Sequence, residues 1–167
     1  MAHESILWPE DKHELYSLLS RQLKSLCETT SLPLPGLSNC AALLWEALDT
    51  INWAGFYLLR GDTLVLGPFQ GKVACTLIPV GRGVCGTAAA TREIQLVPDV
   101  HLFPGHIACD SASNSEIVVP MMKDGKLLGV LDIDSPVKGR FDAEDAAGLQ
   151  LLVDTLLSCT DWHDGVL

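Results

Sequence analysis

Apolar residues alternate with polar ones along this chain in two ways, helical at the ends and strand-like in the middle. Behind Pro9, the residues Leu15, Leu18, Leu19, Leu23, Leu26 and Cys27 recur at helical spacing, and a first-turn proline with acidic neighbours predicts a helix opening there. Ser38 is placed to cap a second helix running through Leu48. Trp53–Leu59 and Thr63–Leu66 then read as strands around an Arg60-Gly61-Asp62 turn. Cys75 to Ile78 forms a short strand, and Val84 to Thr91, alanine-rich and preceded by Gly83, a short helix. Ile94 to Val97 is a strand ended by Pro98. Ser115 to Met122 and Lys126 to Asp134 are long strands joined at Asp124-Gly125. Asp142 caps a last helix, with Phe141 as a hydrophobic staple and an apolar stripe of Leu149, Leu152, Val153, Leu156 and Leu157. Consecutive hairpins between terminal helices predict an α+β sandwich, an antiparallel sheet flanked by N- and C-terminal helices, in one domain over residues 1–167.

Charge and length narrow the function. The chain has 167 residues, 48% of them hydrophobic, and a net charge of −10. That charge disfavours unaided binding to nucleic acid or to an anionic membrane. No apolar run approaches the roughly 18 residues of a membrane span. The N-terminal Met-Ala-His-Glu-Ser lacks the basic and apolar regions of a secretory signal, so a cytoplasmic protein is expected. Thiols are kept reduced there, so the six cysteines do not imply a structural disulfide framework.

Three of those cysteines, Cys75, Cys85 and Cys109, stand in loop-like surroundings that suggest thiol chemistry. Cys109 follows His106 in a Gly/Ser/Asn-rich stretch, where a thiol beside a histidine is partly ionised. Cys85 falls in the first turn of the short helix, whose positive end favours a thiolate. Cys27 and Cys159 fall on helix faces suited to the core, and Cys40 in a first turn reads as filler. A zinc site from Cys75, Cys85, Cys109 and His101 or His106 lacks the tight paired spacing of structural zinc, so no metal is expected. The chain also lacks a Gly-x-Ser-x-Gly elbow and a phosphate-cradling Gly-x-x-x-x-Gly-Lys loop, and no cofactor is implied.

Carboxylates form the second group. Asp132 and Asp134 interrupt an apolar run and, two apart on a strand, share a face. Glu116 begins the preceding strand. Whether all three converge depends on the Asp124-Gly125 hairpin. A two-residue loop would set Glu116 against Ile133, away from Asp132. A three-residue Lys123-Asp124-Gly125 loop, or an equivalent bulge, would put Glu116 across from Asp132 and Asn114 across from Asp134. The three-residue form, or an equivalent bulge, is the expectation, with Glu116, Asp132 and Asp134 lining the pocket that contains Cys109. Trp53 and Tyr57, four apart on a strand, share a face as core or as an aromatic wall.

The segments Gly67-Pro-Phe-Gln-Gly-Lys, Ala74-Cys75, Gly83-Val-Cys85-Gly-Thr-Ala, Pro104 through Glu116 and Gly129-Val-Leu-Asp132-Ile-Asp134-Ser resemble the free methionine-(R)-sulfoxide reductases, GAF-fold enzymes, from about Trp53 to Phe141. The resemblance implies Cys109 as nucleophile, Cys85 as main resolving cysteine and Cys75 as a further partner in disulfide exchange. It implies Glu116, Asp132 and Asp134 as carboxylates holding the sulfoxide oxygen and the ammonium group, and Trp53 and Tyr57 as the pocket for the methyl end. Free methionine-(R)-sulfoxide is the implied substrate and thioredoxin the implied reductant, with a homodimer common. The residues suit that chemistry. A protonated acid polarises the sulfoxide, a thiolate attacks sulfur, and a second thiol converts the sulfenic acid to a disulfide. The alternative is a non-enzymatic GAF module sensing a small ligand or redox state, which needs no three carboxylates facing a thiol.

Overall fold

The computed structural model describes residues 7–107 and 112–166. Helix α1, Lys12–Leu26, is capped by Asp11, whose side chain accepts from the Glu14 amide, so Pro9 lies ahead of the helix instead of opening it. Helix α2, Pro33–Ala47, begins earlier than expected. Pro33 occupies a position that needs no N–H donor, and Ser38 lies inside the helix, its hydroxyl donating to the Leu34 carbonyl at 2.8 Å. Strands β1 (Trp53–Arg60) and β2 (Thr63–Gly71) form a hairpin in which Arg60 pairs with Thr63. β2 runs past the expected end at Leu66. Strand β3 is Leu77–Pro79, so Cys75 lies in the loop before it. Helix α3 (Gly83–Thr91) and strand β4 (Gln95–Val97) follow closely as expected. A single 3-10 turn, Val100–Leu102, leads towards β5 (Ser115–Lys123), β6 (Lys126–Ser135) and helix α4 (Ala143–Ser158).

The six strands form one antiparallel sheet in the order β3-β2-β1-β6-β5-β4. Side chains alternate between its faces, as strand geometry requires. Ile117, Val119, Leu131 and Ile133 join Leu19, Leu23, Leu44 and Leu152 in a core beneath α1, α2 and α4. Val118 and Val130 point the other way, into a smaller core with Trp53, Tyr57, Val84, Cys85 and Ala88 under α3. Glu116 and Asp132 are buried in phase with this second face. At the start of α4, Asp142 and Asp145 form a reciprocal capping box. The buried Asp145 also accepts from Tyr16 Oη at 2.7 Å and pairs with Lys12 at 2.8 Å, joining α1 to α4.

The β5–β6 hairpin brings the three acids to one face as expected, but through a bulge and not a three-residue loop, and with Glu116 opposite Asp134 instead of Asp132. Lys123 pairs with Lys126 across a two-residue loop, in which Asp124 (φ 52°) and Gly125 (φ 76°) both take the left-handed conformation such a loop requires. Alone, this loop would turn Glu116 towards the helices. A bulge in β6 restores the phase: Met122 pairs with Leu127 but Met121 with Gly129, leaving Leu128 extra. Glu116 therefore faces Asp134, and Val118 faces Asp132, so the three acids share the face of the smaller core.

The bulge depends on Gly129. Its φ is 159°, and a Cβ there would lie 2.1 Å from the Tyr57 carbonyl oxygen. We expect Gly129→Ala to destabilise the protein by about 2–4 kcal/mol in urea unfolding. Gly125→Ala, with nothing within 4 Å of the new methyl, should lose only about 1 kcal/mol. Equal losses would show that the close approach does not constrain the bulge.

Candidate active site

One side of the cavity on the smaller core is aromatic. β1 projects Trp53 and Tyr57 to the same face, with ring centroids 5.8 Å apart and planes at 23°. Phe69 of β2 extends the stack, 5.2 Å from Trp53 at 15°. Its role escaped the sequence reading because β2 was expected to stop at Leu66. Both polar tips are used. Trp53 Nε1 donates to the Lys72 carbonyl at 3.1 Å, and Tyr57 Oη donates to the Cys75 carbonyl at 2.9 Å. The aromatic wall thus holds the backbone of the loop that carries Cys75. Val73, Ala74, Ile78 and Val84 add apolar surface to the cavity, and Arg82 and His106 are its basic groups. Burial, with the charge of His101, lowers the His106 pKa and favours the neutral ring.

Opposite the aromatics, Cys85, Glu116 and Asp132 meet from α3, β5 and β6. The Cys85 sulfur and one oxygen from each carboxylate lie within 4.8 Å of one another. The Cys85 thiol donates to Glu116 Oε1 at 3.9 Å. Asp134 lines the same cavity. Burial raises the Glu116 pKa well above the ordinary carboxylate range, and the charges of Asp132 and Asp134 raise it further. Burial also raises Asp132, but hydrogen bonds to Glu116 and Cys85 offset part of that rise. The cluster therefore holds a proton to higher pH than separate carboxylates would, with Glu116 pushed up by burial and by both neighbouring charges. Asp132 Oδ1 is buried and meets no hydrogen-bond partner among the described residues.

The helix-end argument for a Cys85 thiolate does not hold here. Cys85 is in the first turn of α3, yet burial and then the charges of Asp132, Glu116 and Asp134 push its pKa well up. A helix N-terminus favours an anion by up to about 2 kcal/mol, whereas full burial shifts a pKa by several units. Cys85 is thus a protonated, shielded thiol. Cys75 is disulfide-bonded, while Cys27, Cys40, Cys85 and Cys159 are free. Of the zinc set weighed above, Cys75 is engaged in that disulfide and His101 faces Asp99 at 2.9 Å. Cys109, and with it the expected approach of Cys85 to Cys109, lies outside the described residues.

A family model described as the GAF domain matches residues 15–157. A free methionine-R-sulfoxide reductase of Escherichia coli is 56% identical over 155 residues, covering 91% of this chain and 94% of its own. Among solved structures, one described as fRMsr of Staphylococcus aureus in complex with substrate is 52% identical with a TM-score of 0.83, covering 87% of this chain and 95% of its own. The free methionine-R-sulfoxide reductase of Neisseria meningitidis, also with its substrate, is 44% identical with a TM-score of 0.88, covering 95% of both chains.

The raised Glu116 pKa has a stability consequence. Above the unfolded-state pKa near 4.5, the folded protein binds more protons than the unfolded one. Stability is therefore full below that pH and falls as pH rises towards the folded-state pKa. Glu116→Gln, permanently neutral, should flatten this decline and raise Tm by a few degrees at pH 7–8, with little change near pH 4.5. Calorimetry across that range checks it, and an unchanged slope would place the proton elsewhere in the cluster.

Proposed function

Because the chain belongs to the free methionine-(R)-sulfoxide reductase family of GAF-domain proteins, we propose that it reduces free methionine-(R)-sulfoxide to methionine, acting as one domain over residues 1–167. The observation that carries this reading is the convergence of Glu116, Asp132 and Asp134 on an aromatic-walled cavity. The Trp53 and Tyr57 rings that line the cavity, with Phe69 stacked behind Trp53, suit the methyl and thioether end. Protonated Glu116 is the acid that polarises the sulfoxide oxygen. Asp132 Oδ1 is a buried acceptor suited to an ammonium group, and Asp134 adds negative charge beside it. A free amino group is thereby required, which selects the free amino acid over a residue within a peptide.

The nucleophile in this reading is Cys109. The chain enters its segment at Ile107 and leaves at Ser113, both in the cavity wall. These two described residues flank the Cys109 segment in sequence and line the cavity, which supports the assignment. Its thiolate attacks the sulfoxide sulfur as Glu116 protonates the oxygen. The protonated oxygen then passes from the substrate sulfur to the Cys109 sulfur as the new sulfur–sulfur bond breaks, releasing methionine and leaving Cys109 as a sulfenic acid. A second thiol displaces water to form a disulfide, and an external dithiol reduces it through a mixed disulfide. Overall, sulfoxide, two electrons and two protons give methionine and water.

For the second thiol the balance favours Cys75 over Cys85. Cys75 is already oxidised, and its loop is held at the aromatic wall by Tyr57. Cys85 is a free thiol, buried, with its ionisation suppressed. Its place in the cycle is to pack and hydrogen-bond Glu116. The external dithiol is a thioredoxin, the location cytoplasmic and the assembly possible as a homodimer. Among the described residues no helix is long and apolar enough to cross a membrane.

Methionine release with a thioredoxin system tests the reading. Wild type should turn over repeatedly, and Cys109→Ser should lose at least about a thousandfold in rate. Cys75→Ser should release one methionine per chain and stall, whereas Cys85→Ser should continue to cycle. Ligand binding without any methionine release would favour the sensing module. Stalling in Cys85→Ser instead of Cys75→Ser would return the resolving role to Cys85.

Blocking the substrate's amino group isolates the carboxylates. N-acetylmethionine-(R)-sulfoxide should show kcat/KM reduced about a hundredfold or more, because the buried acids lose their cationic partner. Equal use of both substrates would remove Asp132 and Asp134 from ammonium recognition.

A further inference from the structure

We propose that Cys85, Glu116 and Asp132 form a binding site for a thiophilic divalent cation such as Zn2+, which occupies the cavity and excludes the sulfoxide. The three donors come from three different elements, α3, β5 and β6, and all are buried, at 4%, 6% and 5% exposure. They are therefore held in place before any ion arrives. One ligand atom from each residue lies within 4.8 Å of the other two, and Cys85 Sγ is 3.9 Å from Glu116 Oε1. Tetrahedral zinc, with bonds near 2.3 Å to sulfur and 2.0 Å to oxygen, sets such a pair roughly 3.5 Å apart. A contraction of about 0.4 Å brings this pair to that spacing, and the Asp132 oxygen lies within 4.8 Å of both.

Asp132 Oδ1 supplies a separate indication. It is a buried oxygen with no partner among the described residues, and an unpaired buried acceptor is costly unless a ligand satisfies it. The donor set selects the ion. Mg2+ and Ca2+ take six or more oxygens and keep their water, whereas a thiolate with two carboxylates suits Zn2+ or Co2+. Three protein ligands leave the fourth position for water from the cavity. On ligation the Cys85 thiol gives its proton to solvent. Asp134 adds negative charge nearby, while Arg82 and His106 line other parts of the cavity. The ion takes Glu116 and Asp132, the groups assigned above to the substrate, so cation and sulfoxide exclude each other. The metal site itself rests on geometry and not on the reductase reading.

Co2+ titration of the disulfide form tests this, since Cys75 is engaged in that state. One equivalent should bind per chain with a thiolate-to-cobalt charge-transfer band in the near ultraviolet, and Zn2+ should displace it. Cys85→Ser should abolish the band and weaken Zn2+ binding at least about tenfold. Glu116→Gln should weaken binding similarly while near-ultraviolet circular dichroism stays unchanged, a control for folding. Cys27→Ser and Cys159→Ser should bind as wild type. A band that survives in Cys85→Ser, or no band in wild type at excess Co2+, would overturn the proposal. A Cys85-dependent band that free methionine-(R)-sulfoxide fails to displace would keep the metal site and overturn the exclusion of substrate.

Discussion

The register between β5 and β6 governs the chemistry of this protein. A strand has two faces, and one residue of slip exchanges them. The tight Asp124-Gly125 loop would by itself put Glu116 among the leucines under α1, α2 and α4. The extra residue at Leu128 reverses that slip, so Glu116 joins Asp132 and Asp134 on the opposite face. The bulge in turn requires Gly129, because the Tyr57 carbonyl lies where a side chain would be. Central-strand packing thus reaches the active-site acids through one backbone contact.

The sheet separates stability from reactivity. Its larger core, closed by three helices, is continuous and apolar. The smaller core is interrupted by Cys85, Glu116 and Asp132, groups that cost free energy to bury. That cost is what gives them unusual protonation. Glu116 keeps its proton to higher pH than an ordinary carboxylic acid because water cannot solvate its anion and two other carboxylates stand beside it.

The same physics distinguishes the thiols. A helix N-terminus and a buried acidic neighbourhood act on Cys85 in opposite directions, and burial is the larger effect. The aromatic wall acts by position: Tyr57 and Trp53 each spend their one polar group on the backbone of the loop around Cys75. Oxidisable and shielded cysteines are therefore sorted by their surroundings, although they look alike as residues.

Much of this was legible in residue order. Helical spacing marked α1 and α4, the Asp142 cap stands where expected, and the hairpins implied the antiparallel sheet. The pairs Asp132/Asp134 and Trp53/Tyr57 were bound to share faces, because their spacing is even on a strand. These are local properties, set by backbone periodicity. The first residue of α2 was misplaced because Pro33 and Ser38 both signal a start, and neighbouring packing chose between them. Phe69 was missed because β2 continues through Pro68 only with β1 alongside. The phase of Glu116 relative to Asp132, the suppressed ionisation of Cys85 and the raised pKa of Glu116 were decided only in the tertiary structure. Each depends on a through-space contact between segments distant in the chain, or on the exclusion of water by several elements together, and local periodicity encodes neither.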